Sequence, residues 1–180
     1  MAGDEVGNFR ADISGAAIFG WTAGQSAAKR SKEVNGFYEA EKLPQVDERI
    51  AFYSEILERT EGLSWKEAKL ALQQIMKDYA GDKVRSETLR RAGLKYLRDL
   101  KGKVEAGLSA ENSHTLMRCQ ETLDLMDCGE VIFLTPLERK ETRGIHRRSD
   151  YSFANPLLQD KFLTIWQENG EVQMAWRDKR

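Results

Sequence analysis

Four consecutive segments between residues 46 and 136 each carry a stripe of apolar side chains at helical spacing. This pattern constrains the fold more than any other feature of the sequence. The first stripe consists of Val46, Ile50, Tyr53 and Leu57. The third includes Tyr96, and the fourth includes Ile132 and Phe133, all of which are expected to face inward. Because short turns join the segments, each helix must bury its stripe against its neighbours. The pattern therefore predicts an antiparallel helical bundle.

Residue types that cap helices mark the ends of these segments. Ser64 opens a capping-box sequence before the second helix, and Gly81 follows that helix. Ser86 and Gly107 bracket the third helix in the same way. We therefore expect helices with well-defined ends.

The fourth helix carries both cysteines of the chain. We expect it to begin at Ser109 or Ser113 and to contain Pro136 in or near its last turn, where the helix should kink. Cys119 and Cys128 are nine residues apart, which is too far along one helix for a disulfide. We expect both to be buried free thiols.

The C-terminal segment has the pattern of two strands. The runs at residues 162–166 and 172–176 flank Asn169-Gly170, a dipeptide typical of a two-residue hairpin turn. An isolated hairpin is marginal in water, so this one must lie on another part of the protein. The predicted fold class is therefore mainly α, an antiparallel helical bundle with a small C-terminal β-hairpin.

Composition and charge argue against several classes of protein. The 28 Lys and Arg residues balance 29 Asp and Glu residues, so the chain lacks the positive charge typical of nucleic-acid binding. No apolar run approaches the roughly 20 residues of a transmembrane helix, and the first residues lack the pattern of a secretion signal. His114 and His146 are far apart and no Cys-x-x-Cys motif is present, so we expect no metal site. These features predict a cytoplasmic protein with no nucleic acid, no metal and no transmembrane segment.

A glycine-rich helix is predicted ahead of the bundle, from an N-cap at Ser14 to about Lys29. Its glycines are Gly15, Gly20 and Gly24. Two interpretations stay open: another backbone or a ligand approaches this helix closely, or it is a loosely specified terminal helix. The preceding Ala2-Gly3-Asp4-Glu5 is either a turn that binds an anionic or hydroxylated ligand or an ordinary turn near the terminus.

The densest polar cluster of the sequence lies at residues 139–151. It reads Arg139-Lys140-Glu141-Thr142-Arg143-Gly144-Ile145-His146-Arg147-Arg148-Ser149-Asp150-Tyr151. Guanidinium groups in such a cluster can grip a phosphate, a carboxylate or an acidic protein surface. The alternative is a solvated helix end whose cations complement the helix dipole.

Three stretches, in this order, resemble the succinate dehydrogenase and fumarate reductase flavoprotein family, which includes the adenylylsulfate reductase and L-aspartate oxidase flavoproteins. Residues 2–5 resemble its late FAD-binding turn, Ala-Gly-Asp or Ala-Gly-Glu. Residues 14–28 resemble the helix that follows, with Phe-Gly, Ala-Gly and Ala-Ala at the family's offsets. Residues 139–151 match the signature R-x-E-[ST]-R-G-x-H-x-R-x-D-[YF] of its C-terminal domain, the most specific of the three.

The resemblance implies an FAD-dependent oxidoreductase. In the family, the carboxylate of the turn, here Asp4, hydrogen-bonds the ribityl chain, and the helix N-terminus faces the pyrimidine edge of the flavin. The positions that the resemblance assigns to cofactor binding are Asp4, Glu5, Ser14, Gly15 and Ala16. Arg10 lies where the family has a substrate-binding arginine. The positions assigned to domain packing, or to the neighbourhood of the flavin, are Arg143, His146, Arg148 and Asp150.

The resemblance also implies a domain organisation. Residues 1–30 are expected to be the tail end of an FAD-binding domain, residues 31–45 a linker, and residues 46–180 the C-terminal helical domain with its hairpin. Because the sequence contains no G-x-G-x-x-G motif, we expect it to correspond to the last third of such an enzyme and to be inactive alone.

The expected partners follow from that organisation. They are the missing FAD-binding and capping domains and an iron–sulfur electron-transfer subunit, through which the protein would reach the inner face of the membrane. A homo-oligomer through the exposed N-terminal helix is a further expectation. The competing interpretation is a noncatalytic helical module that docks on an acidic partner through its basic loop at residues 139–148.

Overall fold

The computed structural model describes residues 12–34, 36, 43–81, 85–168 and 170–179. The chain forms two compact units, residues 1–47 and 48–180. The elements in chain order are α1 (Asp12–Glu33), α2 (Pro44–Glu58), α3 (Trp65–Tyr79), α4 (Glu87–Gly107), α5 (Ser113–Glu138), a short 3-10 helix (Pro156–Leu158), β1 (Lys161–Glu168) and β2 (Glu171–Asp178). In the described parts of the chain, none of the helices combines the length and apolar character that crossing a bilayer requires.

The first unit contains α1 and the start of α2. Because α1 begins at Asp12, the predicted N-cap at Ser14 is wrong, and Ser14 is the third residue of the helix. Asp12 is itself a residue type favoured at a helix N-terminus, so the helix begins earlier. At the other end α1 extends to Glu33, four residues past the predicted end at Lys29.

In the second unit, three helices, α3, α4 and α5, pack on one another. The predicted caps of α3 and α4 are confirmed: Ser64 Oγ accepts from the N–H of Lys66 at 3.3 Å, and Ser86 Oγ from that of Leu89 at 3.3 Å. The N-cap of α5 is Asn112, which forms a reciprocal capping box with Thr115. The helix therefore begins at Ser113, one of the two predicted starts.

The core of the second unit lies between these three helices. Its fully buried side chains include Leu97, Val104, Cys119, Met126 and Phe133, and Ile56 of α2 joins them. Gly93 lets α4 approach closely, because a Cβ atom there would lie 2.5 Å from the ring of Phe133 and 2.5 Å from Cβ of Tyr79. The predicted helical bundle is therefore confirmed, with α3, α4 and α5 packed on one another. The stripe predicted for α2 is wrong, because Ile50 and Leu57 are 57% and 43% exposed and Ile56 is the buried residue of that helix.

The sequence pattern assigned some side chains of these helices to the wrong side. Ile132 and Tyr96 were predicted to face inward, yet they are 46% and 50% exposed. Cys128 is also exposed, which corrects the expectation of two buried thiols, whereas Cys119 is buried and both are free. Since α5 is apolar on more than one side, spacing alone does not reveal which stripe meets the core.

The predicted C-terminal hairpin is confirmed. β1 and β2 are antiparallel, with pairing from Lys161 opposite Asp178 to Glu168 opposite Glu171. Gly170 has φ +81°, the left-handed conformation that the turn requires, while Asn169 lies outside the described residues.

The hairpin is fixed at the C-terminal end of α5. The indole Nε1 of Trp176 donates to Oε1 of Glu138, the last residue of α5, at 3.1 Å. The guanidinium carbon of Arg139 lies 5.0 Å from the centre of the same indole, within reach of a cation–π interaction. Trp176 therefore attaches the hairpin both to the last residue of α5 and to the first residue of the loop that follows it.

Candidate functional site

The predicted flavin-site residues belong to the first unit. Asp4, Glu5 and Arg10 lie outside the described residues. Residues 14–16 lie in the first two turns of α1. The first four N–H groups of an α-helix have no acceptor within the helix, so the N–H groups of Ser14 and Gly15 still belong to the positive end of α1.

The polar cluster belongs to the second unit and forms an ordered loop between α5 and the 3-10 helix. We call residues 139–155 the clasp loop. At its centre is the carboxylate of Glu141, which is fully buried. Arg139 Nη1 donates to Glu141 Oε1 at 2.6 Å, and Arg143 Nη2 donates to Oε2 at 3.0 Å. The backbone N–H of Asn155 donates to Oε2 at 2.8 Å, so this one carboxylate holds both ends of the loop together.

The surroundings of Glu141 keep it ionised. Burial alone would raise the pKa of this carboxyl group, but the hydrogen bonds from Arg143 and from the N–H of Asn155, with the charges of the two arginines, outweigh burial. The pKa of Glu141 therefore lies below its ordinary value. The pKa of Arg143 is raised, chiefly by its hydrogen bond to the same carboxylate.

A second ion pair in the clasp loop joins Arg148 and Asp150. Arg148 is buried and donates to both carboxylate oxygens of Asp150, from Nε at 2.8 Å and from Nη2 at 2.6 Å. Its remaining nitrogen, Nη1, donates to the carbonyl of Pro136 at 2.5 Å. That carbonyl lies in the last turn of α5, where helix carbonyls lack partners and carry the negative end of the dipole. Arg148 therefore caps the C-terminus of α5.

Asp150 makes the matching contact at the N-terminus of α4. Its Oδ2 accepts from the backbone N–H of Glu87, the first residue of α4, at 2.8 Å. The bidentate bond from Arg148 is the main reason that the pKa of Asp150 falls to about 2, and the N–H of Glu87 lowers it further. The Arg148–Asp150 pair thus ties the negative end of α5 to the positive end of α4.

His146 closes a tight turn at the tip of the clasp loop. Its backbone exchanges two hydrogen bonds with Arg143, at 2.8 and 2.9 Å, around Gly144, which has φ +57°. Its ring Nε2 lies 3.0 Å from the carbonyl of Arg139. Burial lowers the pKa of His146, and nearby arginine charges lower it further, while the bond to the carbonyl acts in the opposite direction. A neutral ring that donates from Nε2 fits this environment.

Thr142 ties the backbone of the clasp loop to itself. Its hydroxyl accepts from the N–H of Arg148 at 2.9 Å and donates to the carbonyl of Tyr151 at 2.7 Å. The loop is also attached to the segment before α4, because the N–H of Ser149 donates to the carbonyl of Arg85 at 2.9 Å. The clasp loop is therefore held from inside and from α4.

The structure changes the view of which residues matter in this loop. Glu141 and Thr142 are central to it, although only Arg143, His146, Arg148 and Asp150 were singled out from the sequence. The alternating Arg-x-Glu-x-Arg spacing was the available signal, because residues two apart in an extended chain lie on the same side. The prediction of a solvated helix end is wrong for Arg148, which complements the helix dipole from a buried position.

Some residues of the clasp loop remain at the surface. The side chain of Ile145 is 71% exposed, and Lys140 and Arg147 are exposed beside it. Elsewhere, within residues 12–34, 43–81, 85–168 and 170–179, no three His, Cys, Asp or Glu side chains come together as metal ligands would.

Comparisons with known proteins agree with this architecture. Residues 69–179 match the family model described as fumarate reductase flavoprotein C-terminal. The fumarate reductase flavoprotein subunit of Haemophilus influenzae is 23% identical over 164 residues, which are 88% of this chain and 27% of that subunit. Among solved structures, E. coli quinol fumarate reductase has a TM-score of 0.77 at 18% identity, over 93% of this chain and 30% of that one. Adenylylsulfate reductase of Archaeoglobus fulgidus has a TM-score of 0.75 at 22% identity, over 93% and 29%.

The chain therefore spans less than a third of the length of these relatives. At these identities the structural likeness establishes the fold. The family model covers more than half of the chain and includes α4, α5, the clasp loop and the hairpin. The chain belongs to the family of fumarate reductase flavoprotein C-terminal domains.

Proposed function

We propose that this chain works as the C-terminal part of an FAD-dependent oxidoreductase of the fumarate reductase and succinate dehydrogenase type. FAD, when bound, supplies hydride transfer to or from a small substrate such as a dicarboxylate. The chain contributes a helix end to the flavin site and a rigid domain that packs against the rest of the enzyme. On its own it is inactive.

The main support for this proposal is the exposed apolar surface of α1. Ile13, Ile18 and Trp21 are 88%, 64% and 71% exposed, which is unusual for apolar side chains of this size along one helix. A Cβ atom added at Gly20 or Gly24 would meet nothing within 4 Å, so the described part of the chain does not supply the close neighbour that these glycines suggest. Such a helix fits a place against another domain.

The start of α1 also fits a flavin. The pyrimidine edge of reduced flavin carries negative charge, and the positive end of α1 around Ser14 and Gly15 is suited to stabilise it. Ala16, next in the helix, has a side chain small enough for a ring to approach. Asp4 would accept from a ribityl hydroxyl, with Glu5 beside it, and Arg10 would hold a carboxylate of the substrate.

The clasp loop serves domain packing in this proposal. Arg143, His146, Arg148 and Asp150 act indirectly, because their side chains are bonded within the loop and to the helix ends. They fix the shape of the surface that meets the FAD-binding domain.

The assembly would include further chains. Since flavoproteins of this type pass electrons on, an iron–sulfur subunit is the partner that we propose, together with the FAD-binding and capping domains. The protein would work in the cytoplasm, at the inner face of the membrane where such partners anchor it.

A chimera tests the proposal. The segment of the Haemophilus influenzae subunit that matches this chain is replaced by this chain, and the purified product is assayed for flavin absorbance and for fumarate reduction by a reduced viologen dye. We expect the chimera to retain FAD. Ile18→Asp places a charge on the exposed part of α1 and should release FAD, whereas Gln25→Asp, at another exposed position of α1, should not.

Two results contradict the proposal. One is a chimera in which Ile18→Asp retains FAD as well as Gln25→Asp does. The other is tight FAD binding by the chain alone in a calorimetric titration. One charge-assisted hydrogen bond contributes about 1.5–3 kcal/mol, whereas micromolar affinity needs about 8 kcal/mol. We therefore expect binding weaker than micromolar.

A further inference from the structure

A groove in the second unit lies between α3 and α5, away from the clasp loop. It has a volume of about 320 Å³. Its apolar lining comes from Leu72 and Met76 of α3 and from Leu125, Cys128 and Ile132 of α5. The family assignment and the proposed function give this groove no role.

The apolar side chains at the groove are widely exposed. Leu125 and Ile132, which line it, are each 46% exposed, and Leu70 of α3, outside the lining, is 67% exposed. Leu125, Cys128 and Ile132 follow one another at three- and four-residue spacing, so α5 has a second apolar stripe besides the one that meets the core. Contiguous exposed apolar surface of this kind is typical of an interface.

The two helices that form the groove run in the same direction. Near their N-termini, the guanidinium carbon of Arg118 lies 5.9 Å from the ring centre of Trp65. About three turns further along both helices, a Cβ atom on Gly129 would lie 3.2 Å from Sδ of Met76. Equivalent heights on α3 and α5 are therefore about 53 residues apart in sequence.

The two rims of the groove carry opposite charge. On the α3 side, Lys69 lines the groove and Lys66 lies one turn before it on the same side of the helix, and we call these two residues the basic rim. On the α5 side, Glu121 and Asp124 lie one turn before Leu125 and Cys128, and we call them the acidic rim. Allowing for the offset between the helices, the two rims lie at nearly the same height.

We propose that this groove is the interface of a homodimer, with a second copy of the chain related by a twofold axis parallel to α3 and α5. That axis places α3 of each copy over α5 of the other. Each basic rim then faces the partner's acidic rim, and Leu70 of one copy lies over the apolar stripe of α5 in the other.

The charges are what select a second copy as the occupant. A twofold interface uses the same patch on both subunits, so the patch must be complementary to itself. A groove with one basic and one acidic rim meets that condition. A basic or an acidic peptide would be attracted by one rim and repelled by the other. Arg118 also lies on the α5 side, paired with Glu121 at 2.7 Å. That pair is neutral as a whole, so Asp124 supplies the net negative charge of the acidic rim.

Charge reversal of one rim at a time tests the proposal on the full chain. The first variant carries Lys66→Glu and Lys69→Glu, and the second carries Glu121→Lys and Asp124→Lys. We expect sedimentation equilibrium to show a dimer for the unchanged chain. In each variant like charges face one another, and the dissociation constant should rise by about 100-fold. Circular dichroism checks that both variants keep their helix content.

Mixing the two variants is the decisive step. In a mixed dimer, both pairs of rims again have opposite charges, so an equimolar mixture should dimerise while each variant alone does not. The matched control is Lys95→Glu with Lys103→Glu on the exposed surface of α4, which should leave the dimer unchanged. Alkylation of Cys128, whose thiol lines the groove, should slow as the dimer forms.

Three results overturn the proposal. The first is that the unchanged chain is monomeric at about 100 μM, well above the dissociation constants of most specific dimers. The second is that both rim variants dimerise like the unchanged chain. The third is that the mixture stays monomeric although the unchanged chain dimerises. The first result is also the one expected if another domain of a longer protein covers the groove. None of these measurements depends on flavin, so failure here leaves the proposed function untouched.

Discussion

The clasp loop and α1 differ in how deeply their side chains are buried, and the irregular segment is the more buried of the two. The clasp loop is irregular, yet its Glu141 is fully buried and Arg148 is 4% exposed. α1 is a regular helix of 22 residues, yet Ile13 and Trp21 are 88% and 71% exposed. Regularity of the backbone is therefore a poor guide to how firmly a segment is anchored.

The difference lies in where each segment finds its partners. The polar groups of the clasp loop are satisfied by the loop itself and by the ends of α4 and α5. The apolar side chains Ile13, Ile18 and Trp21 of α1 are mostly exposed, and burying them needs a further surface. A substitution in the clasp loop should therefore change the stability of this chain, whereas one on α1 should change its association with other domains.

The largest effect is expected at Glu141. Glu141→Gln removes a buried charge that neutralises Arg139 and Arg143 and holds the N–H of Asn155. We expect a loss of about 3 kcal/mol or more in the free energy of unfolding, because breaking a buried ion pair leaves its partners uncompensated. Urea titration measures this loss. Glu171→Gln, at an exposed strand position, should stay within about 0.5 kcal/mol, and equal effects of the two would remove the contrast.

The next effect is expected at Arg148. Arg148→Lys keeps the charge but loses the fork that binds both oxygens of Asp150 and the carbonyl of Pro136. We expect a loss of about 2 kcal/mol and faster amide exchange in the last turn of α5. Arg147→Lys is the matched control, because Arg147 is the exposed neighbour. If both changes have the same small effect, Arg148 is not the cap of α5.

A smaller effect should appear with pH at Asp150. Its pKa is about 2 in the folded chain against an ordinary value of 3.8. The folded state therefore binds this proton less readily than the unfolded state does. The stabilisation is complete above about pH 4 and is lost as the pH falls through about 2, with a total of about 1–2 kcal/mol for this partly exposed group.

Urea titrations between pH 2 and pH 6 check that window. The difference between the unchanged chain and Asp150→Asn should be constant above about pH 4 and shrink below it. Asp178→Asn, at an exposed strand end, is the control. A difference that stays constant down to pH 2 would show that Asp150 contributes no pH-dependent stability.

The smallest effect on stability is expected in α1. Because Ile18 and Trp21 are mostly exposed, changing either to Ser should alter the free energy of unfolding of the chain by less than about 0.5 kcal/mol. Leu97→Ala in the core, where Leu97 is 1% exposed, should cost about 2–5 kcal/mol by the same measurement. A loss of 2 kcal/mol at Trp21 would mean that α1 is anchored within this chain.

Local sequence signals predicted the regular elements of the second unit. Ser64 and Ser86 are N-caps, Gly107 ends α4, and the strands pair on either side of residues 169–170. These signals are local, because a cap or a tight turn depends on residues within one helical turn of each other. The family signature at residues 139–151 was also readable, and the family model confirms the resemblance.

The positions of individual side chains were less readable. Phe133 and Ile132 are neighbours on α5 and were both predicted to face inward, yet Phe133 is fully buried and Ile132 is 46% exposed. Which of the two side chains faces the core depends on Gly93 of α4, because the missing side chain there leaves room for the ring of Phe133 against α4. Because burial on α5 depends on a residue of another helix, the spacing of apolar residues within α5 does not predict it.

The sequence by itself determined the helices, the N-caps of α3 and α4, the hairpin and the family, since each rests on local backbone preference or on a contiguous motif. Only the tertiary structure decided that the arginines of the signature point inward. Arg148 needs the free carbonyls at the end of α5 and the carboxylate of Asp150, which is itself held by α4. A guanidinium group leaves water only where such partners are already arranged, and that arrangement exists only once the helices have packed.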